Sequence, residues 1–178
     1  MRVLLTNQQK LLIEALEALG GARLDQLAAL LRPVFCLNKP GIALRLTESA
    51  IRQMRCGNVV IDWEDDLVFF PGRKPAPHLL EAIDVMLELS GGNPQGYWCG
   101  TPPIFLRFSV QEQKTRLFAV TISGTDLTEA DFNRAERIIL LSNGKEQTRP
   151  LPVSNRQFIA VRQRDGLHRF FAVDGQGQ

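Results

Sequence analysis

The sequence predicts an α+β protein of two small domains: an amino-terminal winged helix-turn-helix over residues 1–90 and a small mixed α/β domain over residues 101–178, with a linker at 91–100. Three observations predict it. Three helical patterns followed by a short apolar ribbon fill the first half. In the second half the hydrophobic period changes from helical to alternating. Between the halves lies "SGGNPQGYWCGTPP", rich in Gly and Pro and free of charge, as linkers are.

The first helix opens on Thr6 and Gln9, a capping-box pair, carries Leu12, Leu16 and Leu19 at helical spacing, and stops at Gly20 and Gly21. The second, "RLDQLAALLRP", sets Leu24, Leu27, Ala28 and Leu31 on one stripe, and Pro33 is expected to end it. Pro40 and Gly41 interrupt the next stretch, so the third helix is expected from the cap Thr47 to Cys56. Gly57 and Asn58 then open a ribbon, with Val59 to Ile61 going up and Leu67 to Phe70 returning. The turn between them is acidic, with Asp62, Glu64, Asp65 and Asp66. Both faces of the ribbon are apolar, so Trp63 and Phe69 are expected to be covered. Pro75 and Pro77 start a fourth helix, amphipathic through Leu79, Leu80, Ile83, Met86 and Leu87.

Beyond the linker, Ile104, Leu106, Phe108 and Val110 alternate with Arg107 and Ser109, and Phe118, Val120 and Ile122 alternate again, as in an antiparallel hairpin. A helix over about 126–137 and a buried strand "IILL" follow. The segment "FIAVRQRDGLHRFFAV" reads as a second hairpin, turning at Asp165 and Gly166.

Composition narrows the class. With 44% hydrophobic and 22% charged residues the 178-residue chain buries a core and is not disordered. No apolar run reaches the length of a membrane span, and the amino terminus leads straight into a helix pattern, so a cytoplasmic protein is expected. Cys36, Cys56 and Cys99 lack the paired spacings of zinc or redox sites and are expected to be reduced and mostly buried. Net charge is +2. Residues 1–90 hold 10 Lys and Arg against 11 Asp and Glu, and residues 91–178 hold 11 against 8. Charge alone therefore does not identify a nucleic-acid binder.

Catalytic signals are weak. Glu112 and Lys114 in "EQK" fit half of a metal-dependent nuclease site, but no Asp or Glu lies between Ser90 and Gln111 to complete it. His78 and His168 have no second ligand at metal spacing and are assigned surface or half-buried structural roles. No nucleophile elbow and no glycine-rich phosphate loop occurs. Neither enzymatic activity nor a metal or cofactor is expected.

The basic residues make the stronger constellation. Arg52 and Arg55 are three apart on the third helix, with Ser49 and Gln53 as hydrogen-bonding neighbours. Lys39 and Arg45 precede them, and Arg73 and Lys74 follow the ribbon. Glu48 and Arg52 are also placed for an intrahelical ion pair worth about 0.3–0.5 kcal/mol. A carboxylate about 4 Å from a phosphate costs on the order of 1 kcal/mol even in water, so the acidic turn is expected to stay off DNA.

With "LTNQQKLLIEAL", "RLDQLAALL", "DDLVFFPGRKPAPHLLEAIDVMLEL" and "FFAV", the chain resembles an uncharacterised family of bacterial proteins associated with mobile genetic elements, and is distantly similar to the replication-relaxation proteins of plasmids. The resemblance implies an amino-terminal winged helix and a carboxy-terminal degenerate nuclease-like domain, and carries over no catalytic residue. The expectation is a non-enzymatic protein that binds double-stranded DNA in regulation, replication or transfer. Its rival is a protein-interaction or homodimerisation module that binds no DNA.

Overall fold

In the computed structural model the described residues are 5–35, 39–122, 128–132, 135–142, 151, 153 and 155–173. The chain divides into two compact units, Met1–Leu80 and Glu81–Gln178.

The first unit is built from α1 (Asn7–Leu19), β1 (Gly21–Arg23), α2 (Leu24–Val34), α3 (Pro40–Cys56), β2 (Asp62–Glu64) and β3 (Leu67–Phe69). The capping box forms: the Gln9 N–H donates to Thr6 Oγ1 at 3.2 Å, and the Thr6 N–H donates to Gln9 Oε1 at 2.9 Å. Gly20, at φ +75°, ends α1 by donating its N–H to the Leu16 carbonyl. The three strands form an antiparallel sheet in the order β1-β3-β2, with Ala22 and Trp63 both opposite Val68. Leu16, Leu19, Leu27, Ile51, Met54 and Val68 fill the interior.

Gly21 sets how closely β1 approaches its neighbours. A Cβ there would lie 2.7 Å from Phe69 Cβ and 2.8 Å from Pro75 Cδ. Gly21→Ala is therefore expected to destabilise the protein by about 1–3 kcal/mol through overpacking, read as a lower urea midpoint. An unchanged midpoint would show that β1 shifts freely.

Three boundaries differ from the sequence expectation. Pro33 lies inside the last turn of α2 instead of ending it, and the helix is capped at Phe35. α3 starts at Pro40, where the missing N–H costs nothing because a first-turn donor has no helical partner. Thr47 is thus interior, and its hydroxyl donates to the Ala43 carbonyl at 2.9 Å. Residues 59–61 are not a strand. β2 begins at Asp62, so Asp62 and Glu64 lie on the strand and only Asp65 and Asp66 make the turn, Asp65 at φ +54°. Phe69 is buried as expected, whereas Trp63 is half-buried and Val60 is 69% exposed.

α4 (Pro77–Ser90) contains the division between the units. The second unit carries β4 (Gly96–Cys99), β5 (Ile104–Gln111), β6 (Thr115–Ile122), α5 (Glu129–Phe132), β7 (Arg137–Ser142), β8 (Arg156–Arg162) and β9 (His168–Ala172). Its six strands pair in chain order; β6, β7 and β8 run parallel and the other neighbours antiparallel. One sheet face packs Ile104, Ala119, Ile138 and Leu140 against Phe132, Ala135 and Leu151. On the other, the stacked rings of Phe108 and Phe118 are 4.9 Å apart, and the Arg137 guanidinium lies over Phe118 and Phe158.

The hairpins and the buried "IILL" strand stand where the alternation, the Asp165–Gly166 turn and the apolar run place them, and Gly166 turns the second hairpin at φ +87°. The linker needs correction: residues 96–99 form the edge strand β4, paired to β5. Within the expected helix over 126–137, Glu129–Phe132 is helical, while 126–127 and 133–134 lie outside the described residues. The division also moves Glu81, Asp84 and Glu88 into the second unit. That leaves 10 Lys and Arg against 8 Asp and Glu in Met1–Leu80, a net of +2. Among the described residues no helix is long and apolar enough to cross a membrane.

Candidate nucleic-acid interface

α3 buries one stripe and exposes the opposite one. Ala43, Thr47, Ala50, Ile51 and Met54 face the interior. At 3.6 residues per turn, the outward side runs through Arg45, Ser49, Arg52 and Cys56, flanked by Ile42 and Gln53 on one side and Glu48 and Arg55 on the other. All eight residues singled out from the sequence are exposed: Lys39, Arg45, Ser49, Arg52, Gln53, Arg55, Arg73 and Lys74.

Exposure does not make them equivalent. Arg52 Nη2 donates to Glu48 Oε1 at 2.6 Å, and its guanidinium lies 5.8 Å from the centre of the Trp63 ring. Lys74 is held by the Glu64 carboxylate; the hydrogen bond and the charge of Glu64 raise its pKa above the ordinary lysine value. Gln53 accepts from Gln9 Nε2 at 3.4 Å. Lys39, Arg45, Arg55 and Arg73 make no ion pair with a described residue. One of the ribbon's carboxylates thus has a concrete role, Glu64 neutralising Lys74, while the backbone carbonyl of Asp65 accepts from Trp63 Nε1 at 3.0 Å across the turn. The Glu64–Lys74 pair spans ten residues, beyond the reach of helical-spacing rules.

The remaining candidates fall elsewhere. Glu112 sits in the β5–β6 turn, 2.9 Å from Arg116 Nε and 3.3 Å from Arg137 Nη1, and Lys114 Nζ is 3.1 Å from Glu136. Both halves of the nuclease-like pair are engaged in ion pairs. Among the described residues no group of three or more His, Cys, Asp or Glu is placed to hold a metal. Cys56 and Cys99 are exposed, contrary to the expectation of burial, and Cys36 lies outside the described residues. His78 is half-buried. His168, expected at the surface or half-buried, is buried. Its side chain is fully covered, with Nδ1 2.8 Å from Glu88 Oε1 and Nε2 3.4 Å from Glu81 Oε1. An edge strand at the sequence level does not reveal that a helix some 80 residues earlier in the chain will cover it.

Compared with family models, curated proteins and solved structures, the chain finds no significant match.

Proposed function

We propose that Met1–Leu80 is a winged helix that docks α3 in the major groove of duplex DNA, and that the protein is a non-enzymatic DNA-binding protein of a mobile genetic element. One observation carries the docking: the buried and exposed stripes of α3 separate cleanly, and the exposed one holds Arg45, Ser49, Arg52 and Gln53. The element order helix, strand, helix, helix, strand, strand supports the winged-helix reading. The mobile-element context rests on the sequence resemblance alone. So does nuclease-like ancestry for the second unit, where the pairing of Glu112 with Arg116 and Arg137 favours a structural role over catalysis.

The rival, a protein-interaction module, would use the ribbon, with Val60 69% exposed before it and Trp63 half-buried on it, and the exposed Val34, Ile42 and Leu44. Ile42 and Leu44 are two apart on α3, so they point to different sides of the helix and do not build one apolar patch.

Four cations, Lys39, Arg45, Arg55 and Arg73, are exposed without an ion pair to a described residue. If Lys39, Arg55 and Arg73 each neutralise one phosphate and Arg45 faces the bases, log affinity should fall against log salt with a slope of about −2.7. Fluorescence anisotropy of a labelled duplex across a salt series measures it. No binding in low salt would refute the proposal.

A further inference from the structure

We infer that the amino-terminal half of α3 reads base edges in the major groove, with Arg45 on a guanine and Ile42 on the C5-methyl group of a thymine. The inference rests on the DNA-docking reading and adds sequence preference to it. Ile42, Arg45 and Ser49 are three and four residues apart in turn, so they share the outward face of α3. Ile42 is 47% exposed while the adjacent Ala43 is buried, so its side chain is held outward by the helix itself. An apolar side chain gains nothing from phosphates. In the major groove its match is the thymine methyl, the one apolar group that base pairs present there.

Arg45 suits the partner role because it makes no ion pair with a described residue, and the nearest helical acid, Glu48, is bound to Arg52. A free guanidinium can donate two parallel hydrogen bonds to the O6 and N7 of guanine. Three residues of helix rise about 4.5 Å, close to one base step of about 3.4 Å, so both side chains reach the same or adjacent base pairs. Ser49, a turn further on, is left for a phosphate or a second base.

The test starts from duplexes recovered from a random pool by the 178-residue chain. Each thymine of a recovered site is replaced in turn by deoxyuridine, which removes only the methyl group, and binding is measured by anisotropy. Wild type should lose about fourfold in affinity at one thymine, and Ile42→Ala should be indifferent to that replacement. At a guanine within one base pair of it, substitution should cost wild type about tenfold and Arg45→Ala nothing. Both side chains are exposed, and circular dichroism checks that the variants fold. The deoxyuridine series on wild type stands without any variant. No methyl-dependent position, an equal loss in Ile42→Ala, or a pool that enriches no sequence would overturn base reading while leaving α3 docking intact. Failure to bind any duplex would sink the docking reading and this inference together.

Discussion

Replacing His168 with alanine is expected to cost about 3–5 kcal/mol of stability, because it removes one partner of a buried charge cluster and leaves the carboxylates behind. The imidazole is fully covered, and Glu81 and Glu88 are mostly covered. His168 also fixes the backbone, its N–H donating to Glu88 Oε2 at 3.0 Å. Beside it, Arg162 Nη2 is 3.6 Å from Asp84, so three acids at i, i+3 and i+7 of α4 hold β8 and β9. Burial pulls the His168 pKa down, but hydrogen bonds and charge from Glu81 and Glu88 outweigh it, and the net shift is upward from 6.5. A raised folded-state pKa means that the protonated form is the one the fold favours. This stabilisation is complete below about pH 6.5 and is lost as pH rises through the folded value. Urea unfolding of wild type and His168→Gln at about pH 6 and about pH 9 should show the larger gap at the lower pH. A gap that widens toward alkaline pH would mean that His168 is held neutral.

Most of the first unit was legible in the sequence because its elements announce themselves locally. Thr6 with Gln9 marks a helix start, Gly20 a stop, and the Leu12, Leu16 and Leu19 spacing a buried stripe. What failed there was punctuation. Pro40 reads as a break in a helical pattern, but at the first position of α3 it is the residue best suited to the place. Taking it as a break shortened α3 by seven residues and hid that Ile42 and Arg45 lie on the same face as Arg52. In the second unit the strands were visible by alternation, whereas β4 was masked by the glycines and prolines around it. The parallel pairing of β6, β7 and β8 has no local signature. The His168 cluster and the Glu64–Lys74 pair join residues that only tertiary structure brings together, so no spacing in the chain could have shown them.

The exposed face of α3 also ranks its arginines. Arg52 is tied to Glu48 and lies over Trp63, so Arg52→Ala should cost DNA binding less than removing a cation that is not ion-paired. Lys39, at the N-cap of α3, and Arg55 make no ion pair with a described residue, and taking one such cation away from a phosphate weakens binding about eightfold near 0.1 M salt. Asp65→Asn with Asp66→Asn should leave binding unchanged or strengthen it, since removing carboxylates near phosphates only reduces repulsion. The most direct test of α3 docking is therefore fluorescence anisotropy of a labelled duplex across a salt series, comparing wild type with the Lys39→Ala, Arg55→Ala double variant. Docking through α3 predicts about 60-fold weaker binding for the variant near 0.1 M salt, with a slope reduced from about −2.7 to about −0.9. A double variant that binds as tightly as wild type, with the same slope, would contradict it.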